Sequence, residues 1–263
     1  MNPHLRLGLI FSAITFNTAH AGLWSFLYSP TPDVIANTDM LDPGAPAPAP
    51  GKPVYYLAVS KGYRQFGYET SGEKIPESTG VLKIITKILD TQGYTLASAE
   101  HAPDLVILYS WGDFYKNPDP HVRNNYATEM LEFLGANKLG RRTDSRNNAF
   151  PELGTGLASL DPDSSTVAGF IPHGLYVITF WAFDFGQAQK GVSRLFWKTN
   201  ISSSTRGFYL TEVLPTMLAV AAPLIGKETN RPVRIDVGEH YHPRVDLGTL
   251  QVIDVDVKLK EPK

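Results

Sequence analysis

The chain contains no cysteine in 263 residues. That absence removes disulfides, thiolate metal sites, cysteine nucleophiles and lipidation through cysteine. An excess of charge of either sign is also missing. Lys and Arg number 24 against 26 Asp and Glu, a formal net charge of −2 with a pI near 6.4. No global field therefore draws nucleic acid or an acidic membrane. Beyond Phe16, no apolar run approaches the roughly 20 residues that a spanning helix needs. The chain has no G-x-S-x-G elbow, H-E-x-x-H helix, phosphate-binding P-loop or G-x-G-x-x-G fingerprint. Gly154-Thr155-Gly156 is a lone glycine pair without the preceding strand that a nucleotide site requires. What the chain does have is core-forming material: 43% hydrophobic and 11% aromatic residues, too many for a wholly disordered polymer.

The N-terminus reads as an export signal over residues 1–21. Met1–Arg6 is a short basic region, Leu7–Phe16 is a ten-residue apolar run, and Ala19-His20-Ala21 is a small-x-small cleavage site. The apolar run is too short to anchor a protein in a bilayer. Cleavage before Gly22 removes Arg6 as the only formally charged side chain. The mature chain is then expected to be soluble, in a periplasm-like or extracellular space, with no transmembrane segment and no lipid anchor.

Residues 22–53 read as an aromatic leader, Gly22–Tyr28, followed by a Pro-rich tether. Pro43, Pro46, Pro48, Pro50 and Pro53 alternate with Ala and Gly, an extended composition without a core. The folded domain is expected to span 54–263. Val54–Ser60 reads as a strand between Pro53 and Gly62. Val81, Ile84, Ile85, Ile88 and Leu89 match an amphipathic helix, with Ser78 as N-cap and Gly93 at the stop. Strands follow at Tyr94–Ala97 and Leu105–Trp111, the latter apolar on both faces and hence inside the sheet. Residues 112–172 read as an insertion holding a helix at His121–Leu134 and polar stretches at 141–148 and 161–166. Leu175–Asp184 and Arg194–Ile201 form the clearest hairpin. A second helix carries Leu210, Val213, Leu214, Met217, Leu218 and Ala221. Pro215 either sits near its first turn or kinks it. C-terminal strands are expected over 232–260, at Val233–Val237 and Leu250–Leu259. The expected fold is α+β: a single mixed or antiparallel sheet, two main helices on one face, and a partly irregular insertion.

Several short motifs then combine. Gly93-Tyr94 closes the first helix and Ala102-Pro103-Asp104-Leu105-Val106 opens a strand. Phe183-Asp184 ends another, Leu195-Phe196-Trp197 lies in its hairpin partner, and an amphipathic helix follows. This arrangement resembles the bacterial envelope proteins grouped as domain of unknown function 4136, many of them lipoproteins. The resemblance covers roughly Val54–Ile225 without the insertion. The chain departs from it in lacking a lipidation cysteine and in carrying the insertion and an added C-terminal stretch. The family has no established catalytic residues, so the resemblance implies an envelope location and no site. Asp184 and Trp197 are explained by turn chemistry and core packing.

Candidate chemistry is sparse. Glu239, His240 and His242 form the best metal candidate, because alternating side chains on an extended segment point the same way; zinc needs three or four ligands held together. Asp161-Pro162-Asp163-Ser164-Ser165, and Asp113 with Asp119, offer oxygens without the spacing of an EF-hand loop. Ser202-Ser203-Ser204 has no adjacent base. Arg141, Arg142 and Arg146 make a small basic patch, a candidate partner surface. No cofactor is indicated. The leading expectation is a non-catalytic envelope module binding a protein or surface component through its insertion and hairpin edge. The alternatives are a hydrolase or metal-dependent enzyme with a dispersed site, and a small-ligand carrier using Tyr109, Trp111, Phe180 and Trp181.

Overall fold

A computed structural model describes residues 32–67, 74–115, 126–135, 138 and 174–237, all within one compact unit. The export signal, the aromatic leader and the segment Leu250–Leu259 lie outside these residues.

Seven strands form one sheet in the order β3-β2-β4-β5-β6-β1-β7. They are β1 (Asp33–Met40), β2 (Val54–Gly67), β3 (Tyr94–Leu96), β4 (Leu105–Tyr115), β5 (Leu175–Asp184), β6 (Leu195–Ser204) and β7 (Val233–Asp236). β2 runs parallel to β3 and β4, and the remaining pairs are antiparallel. The sheet is mixed, and the fold is α+β. β5, apolar on both faces, takes the central position, as continuous hydrophobic strands do. β4 runs four residues past Trp111, into the range assigned to the insertion.

Among the described residues, three helices of eight or more residues accompany the sheet, α1 (Ser78–Thr91), α2 (Tyr126–Phe133) and α3 (Leu210–Ala221), with a single helical turn at Phe185–Ala188. The 3.6-residue apolar period of α1 buries Val81, Ile84, Ile85, Ile88 and Leu89. Its N-cap is Glu77, one residue before the expected Ser78. Gly93 ends it at φ +83°, and a Cβ there would also lie 2.8 Å from Pro48. In α3, the Glu212 carboxylate accepts the Tyr209 N–H at 3.3 Å, closing the N-terminus. Pro215 sits in the second turn and supplies no N–H to the Thr211 carbonyl.

The larger buried cluster joins α1 and α3 to Val34, Ala36, Tyr56, Ile107, Tyr109, Trp111, Ile178, Phe180 and Trp197 of the sheet. A second cluster joins Met130 and Leu131 of α2, and Leu134 just after it, to Ile35, Phe114, Leu175 and Val177. Since alternate residues of a strand face opposite ways, neighbours such as Val34 and Ile35 supply opposite sides of the sheet.

The start of the folded chain needs correction. Asp33–Met40, placed in the leader and tether, is a strand paired with both β6 and β7, and residues 34–38 are all buried. The proline segment after it is also laid against the domain. Leu41 and Asp42 both donate backbone N–H groups to the Phe196 carbonyl, at 2.8 and 3.0 Å. Ala45 packs on the larger cluster, and Asp42 pairs with Arg194 at 2.7 Å. The physical reason is that β1 buries Asn37 and Thr38 against specific partners, so its polar residues do not mark a wet loop.

Candidate functional site

The second face of the sheet, the one carrying α2, is where polar side chains converge. Residues directly opposite one another on paired strands share a face. By register, Asn37, Asn200, Thr179 and Ser110 form one continuous row across β1, β6, β5 and β4. All four are buried. Thr179 Oγ1 donates to Asn200 Oδ1 at 3.0 Å, and Asn37 Nδ2 donates to the Phe133 carbonyl at 2.8 Å. The second bond ties the C-terminal end of α2 to the sheet. Gly135 allows that approach, because at φ +74° its Cβ would lie 2.8 Å from Asn37 Cγ.

The adjacent row holds Asp39, Lys198 and Trp181. Lys61 Nζ lies 5.7 Å from the Trp181 ring centre, a cation–π distance. Where β2 passes this region it bulges between Ser60 and Tyr63, with Gly62 at φ +77°. Gly112 of β4 faces the shifted strand so closely that a Cβ would stand 1.6 Å from the Arg64 carbonyl oxygen.

Between the bulged strand, α2 and β6 lies a cavity of about 560 Å³, lined by Tyr63, Arg64, Gln65, Phe66, Glu132, Phe133 and Lys198. One end is an aromatic group. Phe66 stacks on Phe114 with ring centres 5.5 Å apart, and Phe133 meets Phe66 edge-on at 5.0 Å. Arg64 is exposed and Lys198 half-buried, and neither forms an ion pair with a carboxylate among the described residues. The arrangement can hold an anionic group beside an apolar body.

The cross-strand neighbour of Lys198 is engaged elsewhere. Asp39 Oδ1 pairs with Lys138 Nζ at 2.9 Å, and Glu228 Oε1 pairs with the same ammonium at 2.9 Å. Lys138 also donates to the carbonyls of Thr38 at 2.5 Å and Thr229 at 2.7 Å. Burial tends to raise the Glu228 carboxyl, but the Met40 N–H and the Lys138 ammonium outweigh it and hold the group below its ordinary value. Beneath this node the Thr38 and Thr199 hydroxyls share a hydrogen bond at 2.7 Å, and Thr38 Oγ1 also donates to the Leu224 carbonyl.

The predicted sites fare differently. Glu239, His240 and His242 lie outside the described residues, as do Arg141, Arg142, Arg146, Asp119 and 161–165. Among the described residues no three His, Cys, Asp or Glu gather at metal-ligand range. Asp113 is fully buried and its carboxylate accepts the Tyr63 hydroxyl. Ser204 accepts the Arg206 N–H at 3.2 Å, a strand-end turn, and among the described residues no hydrogen bond reaches the buried hydroxyls of Ser202 and Ser203. Of the proposed carrier face, Tyr109, Trp111 and Phe180 are core, and Trp181 belongs to the opposite face under Lys61. Asp184 caps a single helical turn by accepting the Gln187 N–H at 3.0 Å, and Trp197 is fully buried. Burial raises the phenols of Tyr56, Tyr94 and Tyr109, that of Tyr94 to about 12, so none of the three ionises near neutral pH. Sequence reasoning missed Asn37, Lys138, Arg64 and Lys198. Asn37 and Lys198 show locally only as polar residues within strands, and Arg64 and Lys138 carry no local signature.

No family model matches the chain, and no curated protein matches it. Among solved structures it is similar to a PDZ domain protein from Parabacteroides distasonis, at 16% identity and a TM-score of 0.37. That match covers 78% of this chain, which spans 39% of the other. It is also similar to a PelC dodecamer from Paraburkholderia phytofirmans, at 13% identity and a TM-score of 0.31 over 73% of this chain and 99% of that one. A second crystal form gives 12% and 0.30 over 72% and 96%. Likenesses of this size assign neither a fold nor a function.

Proposed function

We propose that the chain is an exported bacterial envelope protein, a non-catalytic module that binds an envelope protein or surface component. In this reading α1 and α3 cover one face of the sheet, and the opposite face is the binding side. The observation that carries it is the cavity beside β2, where Arg64 and Lys198 stand, among the described residues, without carboxylate partners above a row of buried, hydrogen-bonded polar side chains. Both cations stand on strands, so the sheet fixes their backbone positions before a ligand arrives. Support for export comes from the ordered basic, apolar and small-x-small segments of residues 1–21. The resemblance to the envelope family points to the same compartment. No helix among the described residues is long and apolar enough to cross a membrane.

The test has two parts. Full-length chain expressed in a bacterial host is fractionated, and the exported material is sequenced from its N-terminus. The expected first residue is Gly22; protein confined to the cytosol and starting at Met1 overturns the export assignment. A photo-crosslinking residue replacing the exposed Glu132, on the cavity wall, is then activated in intact cells. A discrete adduct that is missing when the crosslinker replaces the exposed Lys87 of α1 supports the module. Equal labelling from both positions, or none, overturns it.

A further inference from the structure

We infer that the cavity between β2, α2 and β6 is a binding site for a small carboxylic acid that carries hydrogen-bond donors next to its carboxylate. Sugar acids and amino acids share that chemistry. The inference rests on the reading of this face as the binding side, and it names the ligand.

The argument begins with the cations. Arg194 is held by Asp42 at 2.7 Å and Asp184 at 3.4 Å, and Arg234 by Asp33 at 2.7 Å. Among the described residues Arg64 has no such partner. Lys198 is the more telling case, since its cross-strand neighbour is an aspartate and the two are in register. That carboxylate is engaged by Lys138, which leaves the half-buried Lys198 on the sheet face without a counter-charge among the described residues. Both unpaired cations line the same cavity. A planar guanidinium and a point-charge ammonium together suit an oxyanion, the first by paired donors and the second by charge.

Glu132 narrows the choice of anion. It lines the same cavity and has no ion-pair partner among the described residues. The lining therefore carries two positive charges and one negative. The net single positive charge balances a monoanion, whereas a dianion such as phosphate leaves one negative charge uncompensated beside Glu132, and a polyanion leaves more. A monoanion whose neighbouring atoms bear O–H or N–H groups satisfies all three: the acid meets Arg64 and Lys198, and a donor meets Glu132. Phe66 and Phe133, both half-buried, offer ring surface for the carbon skeleton. A volume of about 560 Å³ falls within the range for small-molecule sites.

The experiment uses the purified exported chain with four probes: glucuronate, glutamate, glucose and inorganic phosphate. Binding is read by isothermal titration and by the shift in melting temperature. Glucuronate or glutamate is expected to bind, and which of them does distinguishes the sugar-acid from the amino-acid source. Glucose is expected to fail, and phosphate to bind at least about tenfold more weakly than the preferred acid. Arg64→Gln and Lys198→Met, both on side chains with no ion pair to lose, should each weaken the preferred acid about tenfold or more while keeping the wild-type melting temperature. Glu132→Gln should close the gap between that acid and phosphate. The inference is overturned if neither acid binds, if phosphate binds as well as either acid, or if the two cation variants bind like the wild type. Failure here is separable from failure of the broader reading. Crosslinking from position 132 that persists in Arg64→Gln and Lys198→Met leaves the binding module intact and removes only the carboxylate.

Discussion

Replacing Lys138 with methionine keeps the length of the side chain and deletes its charge. In the native chain this ammonium, 11% exposed, meets four oxygens: Asp39 Oδ1, Glu228 Oε1 and the carbonyls of Thr38 and Thr229. Breaking a fully buried ion pair from one side costs about 3–5 kcal/mol. Here Asp39 is 29% and Glu228 43% exposed, so water reaches both carboxylates and each contributes at most about 1 kcal/mol. The carbonyl bonds are less screened, and charge-assisted bonds are worth about 1.5 kcal/mol or more each. The expected loss for Lys138→Met is therefore about 3 kcal/mol at neutral pH. For a domain of this size it should lower the melting temperature by about 6–12 °C. Circular dichroism against temperature, with urea unfolding as a second measure, checks it.

The pH dependence fixes the cause. The Glu228 carboxyl is lowered in the folded chain from an ordinary 4.5, so its contribution is present above that value and is lost as pH falls through the lowered one. The gap between wild type and Lys138→Met should accordingly be widest above pH 4.5 and shrink with acid. Glu228→Gln should remove part of that shrinkage. A gap below about 1 kcal/mol at neutral pH, or one that is constant down to a pH of about 3, refutes the argument that the ammonium acts as an electrostatic latch.

Other expectations are narrower. Gly112→Ala places a methyl 1.6 Å from the Arg64 carbonyl oxygen and should cost about 3 kcal/mol or more in urea unfolding. Gly80→Ala in α1, where nothing lies within 4 Å, should instead stabilise by up to about 1 kcal/mol. Asn37→Leu removes the donor to Phe133 and should destabilise by about 1–3 kcal/mol, with amide exchange quickening first in α2. Tyr94, its phenol raised to about 12 by burial, contributes stability that is full below pH 10 and lost as pH rises through the folded value. Tyr94→Phe should flatten the alkaline limb of the stability curve; an unchanged limb assigns it to other groups.

Elements that carry their reason locally were legible in the sequence. The α1 stripe shows its buried face in its own spacing, and β5 announces a central position by being apolar on both sides. The hairpin of β5 and β6 follows from two such runs joined by a short polar segment. β1 was not legible. Its polar residues are buried only because they meet partners 96, 161 and 186 residues away in the chain: Asn37 with Phe133, and Thr38 with Thr199 and Leu224. A period-2 pattern interrupted by Asn, Thr and Asp reads as a wet segment until those partners are known. The adjoining prolines then strengthen the wrong inference.

The same distance argument applies to the groove with more force. Nothing in the local sequence of Lys198 tells whether its charge is paired, because the answer depends on Asp39, across the β1–β6 ladder, and on Lys138, beyond α2. One aspartate stands between two lysines, and its geometry favours the one that also finds two carbonyls and Glu228. An ammonium that collects four acceptors outcompetes one offered a single carboxylate. Lys138 therefore does two things with one contact. It pins the segment after α2 to β1, and it withdraws from Lys198 the counter-charge that would otherwise fill the groove. Lys138→Met should then release Asp39 toward Lys198, weakening anion binding at the groove even though neither Lys138 nor Asp39 lines it.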